Sequence, residues 1–171
     1  MLESAAGLAS GNAEDDTADN ALKLVKHYSG HGTSEVQIHG IHLLGEDDKP
    51  RKQFESDEVV EVRVHATSSV EGQARLQMSC YNEHDVCCLG AELPFEIRKG
   101  ECVISLVFRP IQLSTGRYRM SFHVYDESFT CPYSNGHYGY FTVAHRGAVM
   151  NPGTNTPYCW APPELRITGS E

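Results

Sequence analysis

The stretch LSTGRYRMSFHVYDES, residues 113–128, alternates between apolar and polar side chains. Successive side chains of an extended strand point to opposite faces, so this alternation predicts a β-strand with two different faces. The apolar face carries Tyr118, Met120, Phe122 and Val124. The opposite face carries Arg117, Arg119, Ser121, His123 and Tyr125. The first face is a candidate core, whereas the second lacks the Lys, Glu and Thr that are usual on a solvated strand.

Similar alternation recurs along the chain, with turn residues between the segments. It predicts seven strands, A to G, at 34–44, 57–66, 72–81, 86–89, 100–109, 116–126 and 137–144. The alternation slips at Gly40, which predicts a β-bulge in strand A. No segment shows long helical periodicity. Short strands separated by turn signals favour an all-β protein, an immunoglobulin-like antiparallel β-sandwich.

The ends of the chain have a different composition. Residues 1–32 are small and acidic, which is typical of a flexible linker, although 21–28 could form a short helix or a frayed strand. The β-sandwich domain is predicted over residues 33–167, and 168–171 form a tail.

A proline-rich segment, 151–167, closes the predicted domain. Its Tyr158 and Trp160 predict that it docks on the sandwich instead of extending into solvent. The residues ELRI near its end predict one more strand, which either pairs within the chain or is exchanged with a second protomer.

The charge of the chain limits its partners. Lys and Arg number 14 against 23 Asp and Glu, for a formal net charge of -9. This balance argues against nucleic acid and against an anionic membrane surface as partners. No apolar run approaches the ~20 residues that a membrane helix needs, and the N-terminus lacks the pattern of a secretory signal. We therefore expect a cytoplasmic domain with no membrane insertion.

The six cysteines are Cys80, Cys87, Cys88, Cys102, Cys131 and Cys159. None forms the C-x-x-C pair that marks structural zinc sites. Cys80 and Cys102 fall in the apolar phase of their strands, where cysteine behaves as a small hydrophobe. We expect reduced thiols, with a bridge from Cys87 or Cys88 to Cys131 as the less favoured alternative.

The polar phases of three strands predict a binding surface. In an immunoglobulin-like sandwich, strands C, F and G share one sheet with F in the middle. Their outward residues are Arg75, Gln77, Ser79, Arg119, Ser121, His123, Tyr138, Tyr140 and Thr142. Aromatic rings can stack on the apolar face of a sugar while guanidinium, amide and hydroxyl groups bind its hydroxyls. A dimer interface, or an exposed face shaped by β-propensity alone, would have a similar composition.

Other chemistries have weaker support. His39 and His42 lie on opposite faces of a regular strand, and although a bulge could bring them together, no acidic or Cys partner is near them in sequence. We therefore expect no metal and no cofactor. The chain contains no G-x-S-x-G, H-E-x-x-H or phosphate-loop motif, and no carboxylate falls in the predicted polar patch, so we do not expect an enzyme.

Three segments give the chain a family resemblance. They are GTSEVQIHGIHLLGEDDKPRKQFESDEVVEVRVHA, GRYRMSFHVYDES, and YGYFTVA with the Pro/Trp tail that follows it. Within them, GTSEVQI starts strand A, FESDE precedes strand B and LSTGRY leads into strand F. Over about residues 32–165, this pattern resembles the C-terminal carbohydrate-binding domain of Wzt, the ATPase subunit of ABC transporters that export O-antigen polysaccharide.

The resemblance implies a noncatalytic sandwich that is often dimeric through exchange of a terminal strand. It implies binding, in the cytoplasm, of the finished and usually capped non-reducing end of a lipid-linked O-antigen polysaccharide. Its further partners would be the ATPase domain, which would precede the linker and is absent here, and the transmembrane subunit at the inner membrane. No ligand-contacting residue carries over from these motifs, so the predicted site depends on strand phase alone. An interaction or dimerisation module without a glycan ligand is the alternative.

Overall fold

The computed structural model describes residues 21–22, 24–27, 32–144 and 163–169, and every regular element in them is a strand. The strands are β1 (Leu24–His27), β2 (Val36–Leu44), β3 (Gln53–Glu55), β4 (Val60–Ser68), β5 (Gly72–Asn82), β6 (Cys87–Ile97), β7 (Gly100–Phe108), β8 (Gly116–Asp126), β9 (Pro132–Ala144) and β10 (Glu164–Gly169).

Two sheets pack face to face. The first has the order β1-β9-β8-β5-β6, with β3 added to β9 in parallel, and the second has the order β10-β7-β4-β2. Predicted strands C, F and G correspond to β5, β8 and β9, and β8 lies between the other two as expected. The all-β sandwich is therefore confirmed. Strand β6 is longer than the predicted strand D because Pro94, which breaks the sequence pattern, is tolerated on an edge strand.

The core lies between the two sheets and follows the period-two pattern. Strand β4 alternates buried and half-buried side chains from end to end, and the inward side chains of β8 include the fully buried Met120 and Phe122. The predicted bulge in β2 is confirmed, since the register with β4 shifts between Ile38 and Gly40. Cys80 and Cys102 are buried as predicted, and the five cysteines in the described residues are free thiols.

A bulge in β9 corrects one predicted side-chain direction. Arg119 pairs with Tyr140 but the next residue, Met120, pairs with Tyr138, so Gly139 is an extra residue in β9. The bulge reverses the phase of the strand, and Tyr138 points into the core with only 3% of its surface exposed. Its placement on the polar face was wrong. Burial raises the pKa of Tyr138 to about 12.

The ends of the domain also differ from the prediction. Strand β1 pairs with β9 and Leu22 is buried in the core, so the sandwich begins before residue 33, and Leu22 and β1 are not part of a flexible linker. At the other end, β10 extends past 167 to Gly169, and it pairs with β7 of the same chain. Residues 1–20, Tyr158, Cys159 and Trp160 lie outside the described residues.

Candidate functional site

The outer side chains of β5, β8 and β9 form one continuous surface, which we call the polar face. Three rows of register partners cross it: Gln77, His123 and Asn135; Ser79, Ser121 and His137; and Tyr81, Arg119 and Tyr140. Arg75 and Tyr125 form a fourth pair at one end. The structure thus brings seven of the eight predicted site residues together, and only Tyr138 lies elsewhere. Their role in binding stays a prediction.

Arg119 is held in one position by three neighbours. Its Nη2 donates to Asp85 Oδ1 at 2.7 Å, and its Nη1 bonds to His137 Nδ1. Its Cζ lies 4.8 Å from the centroid of the Tyr81 ring, within the range of a cation–π interaction. The Tyr81 and His137 rings are themselves stacked, with centroids 6.1 Å apart. A guanidinium fixed in this way presents its remaining donors without a large loss of side-chain entropy.

Two histidines meet at the centre of the face. The rings of His123 and His137 are perpendicular, with centroids 6.4 Å apart. Burial, and then the neighbouring His137, lower the pKa of His123, while Asn135 opposes the shift. His123 is therefore neutral near pH 7, with one ring nitrogen able to donate and the other able to accept a hydrogen bond.

Three of the four buried side-chain polar atoms that lack a hydrogen-bond partner in the described residues lie at this place, and the fourth, Arg51 Nε, lies outside the polar face. Within the described residues, Ser121 Oγ is buried without a hydrogen-bond partner. His123 Nδ1 and Asn135 Oδ1 are buried without a partner of good geometry, although the Asn135 side chain is near enough to raise the pKa of His123. Native proteins pair the large majority of such atoms, because an unpaired one costs free energy. All three belong to neighbouring positions of β8 and β9, so the centre of the polar face has unused hydrogen-bonding capacity.

A series of rings leads from this centre to the loop between β8 and β9. Tyr125 stacks on His123 with centroids 6.2 Å apart, and Phe129 lies 5.2 Å beyond Tyr125. Arg75 covers Phe129, with its Cζ 4.9 Å from the ring centroid. Arg75 also bonds to Glu92 Oε1 at 2.9 Å and to the Glu127 carbonyl at 3.1 Å.

Tyr140 lies near the opposite end of the polar face. It is 41% exposed, and the Cζ of Arg117 lies 4.0 Å from its ring centroid. With Tyr138 buried, Tyr140 is the predicted stacking residue that solvent can reach.

Sequence reasoning missed four contributors to the site: Tyr81, Asp85, Asn135 and His137. Tyr81 shares the outward phase of Arg75 and could have been found by continuing the alternation to the end of the strand. Asn135 and His137 were missed because the bulge reverses the phase of β9, and the glycine at 139 was the available signal. Asp85 lies in the β5–β6 turn, in a left-handed conformation with φ 62°, and nothing local indicates that it reaches Arg119.

The outer face of the second sheet is organised differently. Arg63 bonds to Glu61 at 2.8 Å and to Asp48 at 2.9 Å, Ser105 Oγ donates to Glu61 at 2.8 Å, and His39 bonds to Thr67 at 2.6 Å. Although burial opposes the shift, the hydrogen bonds from Arg63 and Ser105 hold the pKa of Glu61 below its usual value. The polar groups on this face therefore satisfy one another's hydrogen-bonding capacity.

Within the described ranges, no three His, Cys, Asp or Glu side chains are arranged to hold a metal ion. Nor does the described part of the chain contain a helix long and apolar enough to cross a membrane.

The fold is that of an antiparallel β-sandwich, and solved structures with a similar fold are known. The structure is similar to the crystal structure of the C-terminal domain of Wzt, with a TM-score of 0.58 and 12% identity over 73% of this chain and 84% of that one. A CARDB domain from Pyrococcus furiosus, solved in complex with di-metal ions, matches with a TM-score of 0.40 and 15% identity, over 68% of this chain and 95% of that one.

No family model matches the sequence, and no curated protein matches it either. The resemblance that the sequence suggested is thus confirmed at the level of the fold.

Proposed function

We propose that this domain is a noncatalytic carbohydrate-binding module that recognises the non-reducing terminus of a lipid-linked O-antigen polysaccharide for export by an ABC transporter. In this proposal it acts in the cytoplasm, at the inner membrane, as part of a homodimer. Its partners are the ATPase domain and the transmembrane subunit of the exporter. The fold it shares with the C-terminal domain of Wzt supports this assignment.

The observation that carries the proposal is the group of unpaired polar atoms at the centre of the polar face. Sugar hydroxyls both donate and accept, so they can pair with Ser121 Oγ, His123 Nδ1 and Asn135 Oδ1. The protein has already met the cost of burying these atoms, and the sugar supplies the missing partners. Because these atoms are buried, the side chains that cover them must move aside before a sugar can pair with them.

The surroundings of these atoms suit the rest of a sugar. Arg119 and Gln77 offer further donors on either side of the centre, and the exposed Tyr140 ring can stack on an apolar sugar face. Such open sites are usually weak one at a time. Two sites in a homodimer would strengthen binding to a surface that displays many glycans.

A titration with amide-shift detection tests the proposal. Isotope-labelled protein is titrated with lipid-free O-polysaccharide from the source strain, and in parallel with the same glycan trimmed at its non-reducing terminus. We expect shifts confined to β5, β8 and β9 that disappear with the trimmed glycan. Absence of shifts at millimolar repeat-unit concentration would contradict the proposal.

Arg119→Ala gives a matched test of the site. Removing the guanidinium eliminates a charged hydrogen-bond donor, so affinity for the O-polysaccharide should fall by about tenfold or more. Arg63→Ala, on the opposite face, is the control. It should lower the free energy of unfolding by about 1 kcal/mol and leave polysaccharide affinity unchanged. Equal affinities of the two variants would exclude the polar face as the site.

A protein-interaction module is the alternative, because Tyr140 and Arg117 are residue types that are enriched at interfaces. Tyr140→Ala distinguishes the two functions. If the module binds glycan, the variant loses polysaccharide affinity and keeps its oligomeric state in sedimentation. If the polar face is an interface, the variant dissociates.

A further inference from the structure

We infer that Phe129 and Tyr125, at the end of the polar face, form a second sugar subsite that takes an uncharged internal residue of the chain whose terminus occupies the centre. This inference rests on the proposed function. It concerns a place that strand phase did not identify, since Phe129 belongs to the loop after β8.

The side chain of Phe129 is exposed to solvent. It is 37% exposed, which is unusual for a phenylalanine, and it is one of four large hydrophobic side chains with such exposure in the described residues. Its backbone has φ 60°, a left-handed conformation that a bulky residue rarely adopts. Conformations of this kind persist where the surroundings impose them, and they cluster at ligand-binding positions.

The loop around Phe129 is rigidly built. Asp126 accepts hydrogen bonds from the Thr130 hydroxyl at 2.9 Å and from the Cys131 amide at 2.7 Å, and a third from the Ser128 hydroxyl. The Phe129 amide donates to the Asp126 carbonyl at 3.2 Å. The hydrogen bond from Ser128, followed by that from the Cys131 amide, lowers the pKa of Asp126 to about 2, so the loop is braced by a carboxylate at any ordinary pH.

The ring is connected to the centre of the site. Phe129, Tyr125 and His123 follow one another with centroid separations of 5.2 and 6.2 Å, steps comparable with the length of a sugar residue in a chain. A glycan whose terminal residue pairs with the unpaired atoms at the centre would therefore pass over Tyr125 and Phe129. Successive aromatic side chains hold extended single strands of nucleic acid by stacking in this way.

The charge around the second subsite selects an uncharged sugar. Arg75 supports the Phe129 ring from one side, but its guanidinium is paired with the Glu92 carboxylate at 2.9 Å. Its charge is thus matched within the protein, and an anionic group would not find a free cation there. A neutral sugar with one apolar face needs only the rings.

Calorimetry with fragments of graded length tests the subsite. The probes are non-reducing-end fragments of the O-polysaccharide, one and several repeat units long. Wild-type protein should bind the longer fragment about tenfold more tightly than the shorter one. Phe129→Gly should lose this gain and keep the affinity for the shorter fragment, because glycine adopts the same φ without the ring.

Two further variants complete the design. Phe129→Asn, which also tolerates positive φ, should behave like Phe129→Gly. Val86→Ala removes another exposed side chain, 48% exposed in the β5–β6 turn, and should match the wild type with both fragments. A Phe129→Gly variant that keeps the length gain overturns the subsite alone. If the wild type binds neither fragment, the proposed function fails and the subsite fails with it.

Discussion

Two buried serines show how the two outer faces of the sandwich differ. Ser105, on the second sheet, donates to Glu61 at 2.8 Å, and Glu61 in turn accepts from Arg63. Ser121, on the first sheet, is fully buried, and its hydroxyl has no partner in the part of the chain that the structure describes. The same residue type is thus part of a closed network on one face and unpaired on the other. A face whose polar groups satisfy one another stabilises the fold, whereas a face with unpaired groups is suited to a ligand.

The arginines show the same difference. Arg63 lies between Glu61 and Asp48, so its charge is matched on two sides. Arg119 pairs with one carboxylate, that of Asp85, which lies in an exposed turn and is itself open to solvent. The charge of Arg119 is thus the less fully matched of the two, although the Arg63 side chain is the more exposed.

The largest expected effect tests which tyrosine belongs to the polar face. Tyr138→Ala should lower the free energy of unfolding by about 3–5 kcal/mol, because it opens a cavity beside Phe122, whose ring centroid lies 6.1 Å away. Tyr140→Ala, two residues along, should cost less than about 1 kcal/mol since its ring is largely exposed. Urea unfolding measures both. Similar losses would mean that β9 lacks the bulge and that the polar face has been assigned wrongly.

Exchanging each serine for alanine sharpens the comparison directly. Ser105→Ala should lower the free energy of unfolding by about 1 kcal/mol, because Glu61 loses a donor. Ser121→Ala should leave that energy unchanged or slightly raised, since it removes an unpaired hydroxyl. The same change should weaken O-polysaccharide binding about fivefold. Urea unfolding of both variants measures the stability change, and titration with O-polysaccharide measures the affinity change. A Ser121→Ala variant that is clearly less stable than the wild type would contradict the prediction.

The smallest expected effect is the response to acid, because each face carries one histidine with a lowered pKa. Burial and His137 lower that of His123, and burial, His65 and Arg63 lower that of His42. In the unfolded chain these histidines titrate near 6.5, so below that pH the unfolded state binds more protons than the folded state. Their contribution to stability is complete above pH 6.5 and is lost as the pH falls towards the folded-state pKa.

Glutamine substitutions separate the two histidines. His123→Gln and His42→Gln should each reduce the loss of stability between pH 7 and pH 5.5, measured by urea unfolding. Only His123→Gln should also reduce the pH dependence of O-polysaccharide affinity. If His42→Gln changes that dependence equally, the two faces do not differ in the way proposed.

Much of the fold could be predicted from the sequence because alternation fixes which residues of a regular strand face the core. The inward sides of β4 and β8 followed from it, and the order of β5, β8 and β9 followed from the topology of an immunoglobulin-like sandwich. The site was harder to predict, since one extra residue at Gly139 exchanges the two sides of a strand. Tyr138 was assigned to the wrong face for this reason, and His137 was missed.

The sequence by itself determined the class of fold, the core residues of the regular strands and the arginine- and histidine-bearing strand that lines the polar face. These follow from local periodicity, which each strand carries in its own residues. Only the tertiary structure decided that Asp85 reaches Arg119, that Phe129 lies beyond Tyr125, and that Ser121 is buried without a partner among the described residues. The physical reason is that whether a polar atom is satisfied depends on neighbours from other strands and loops, which no single stretch of sequence contains.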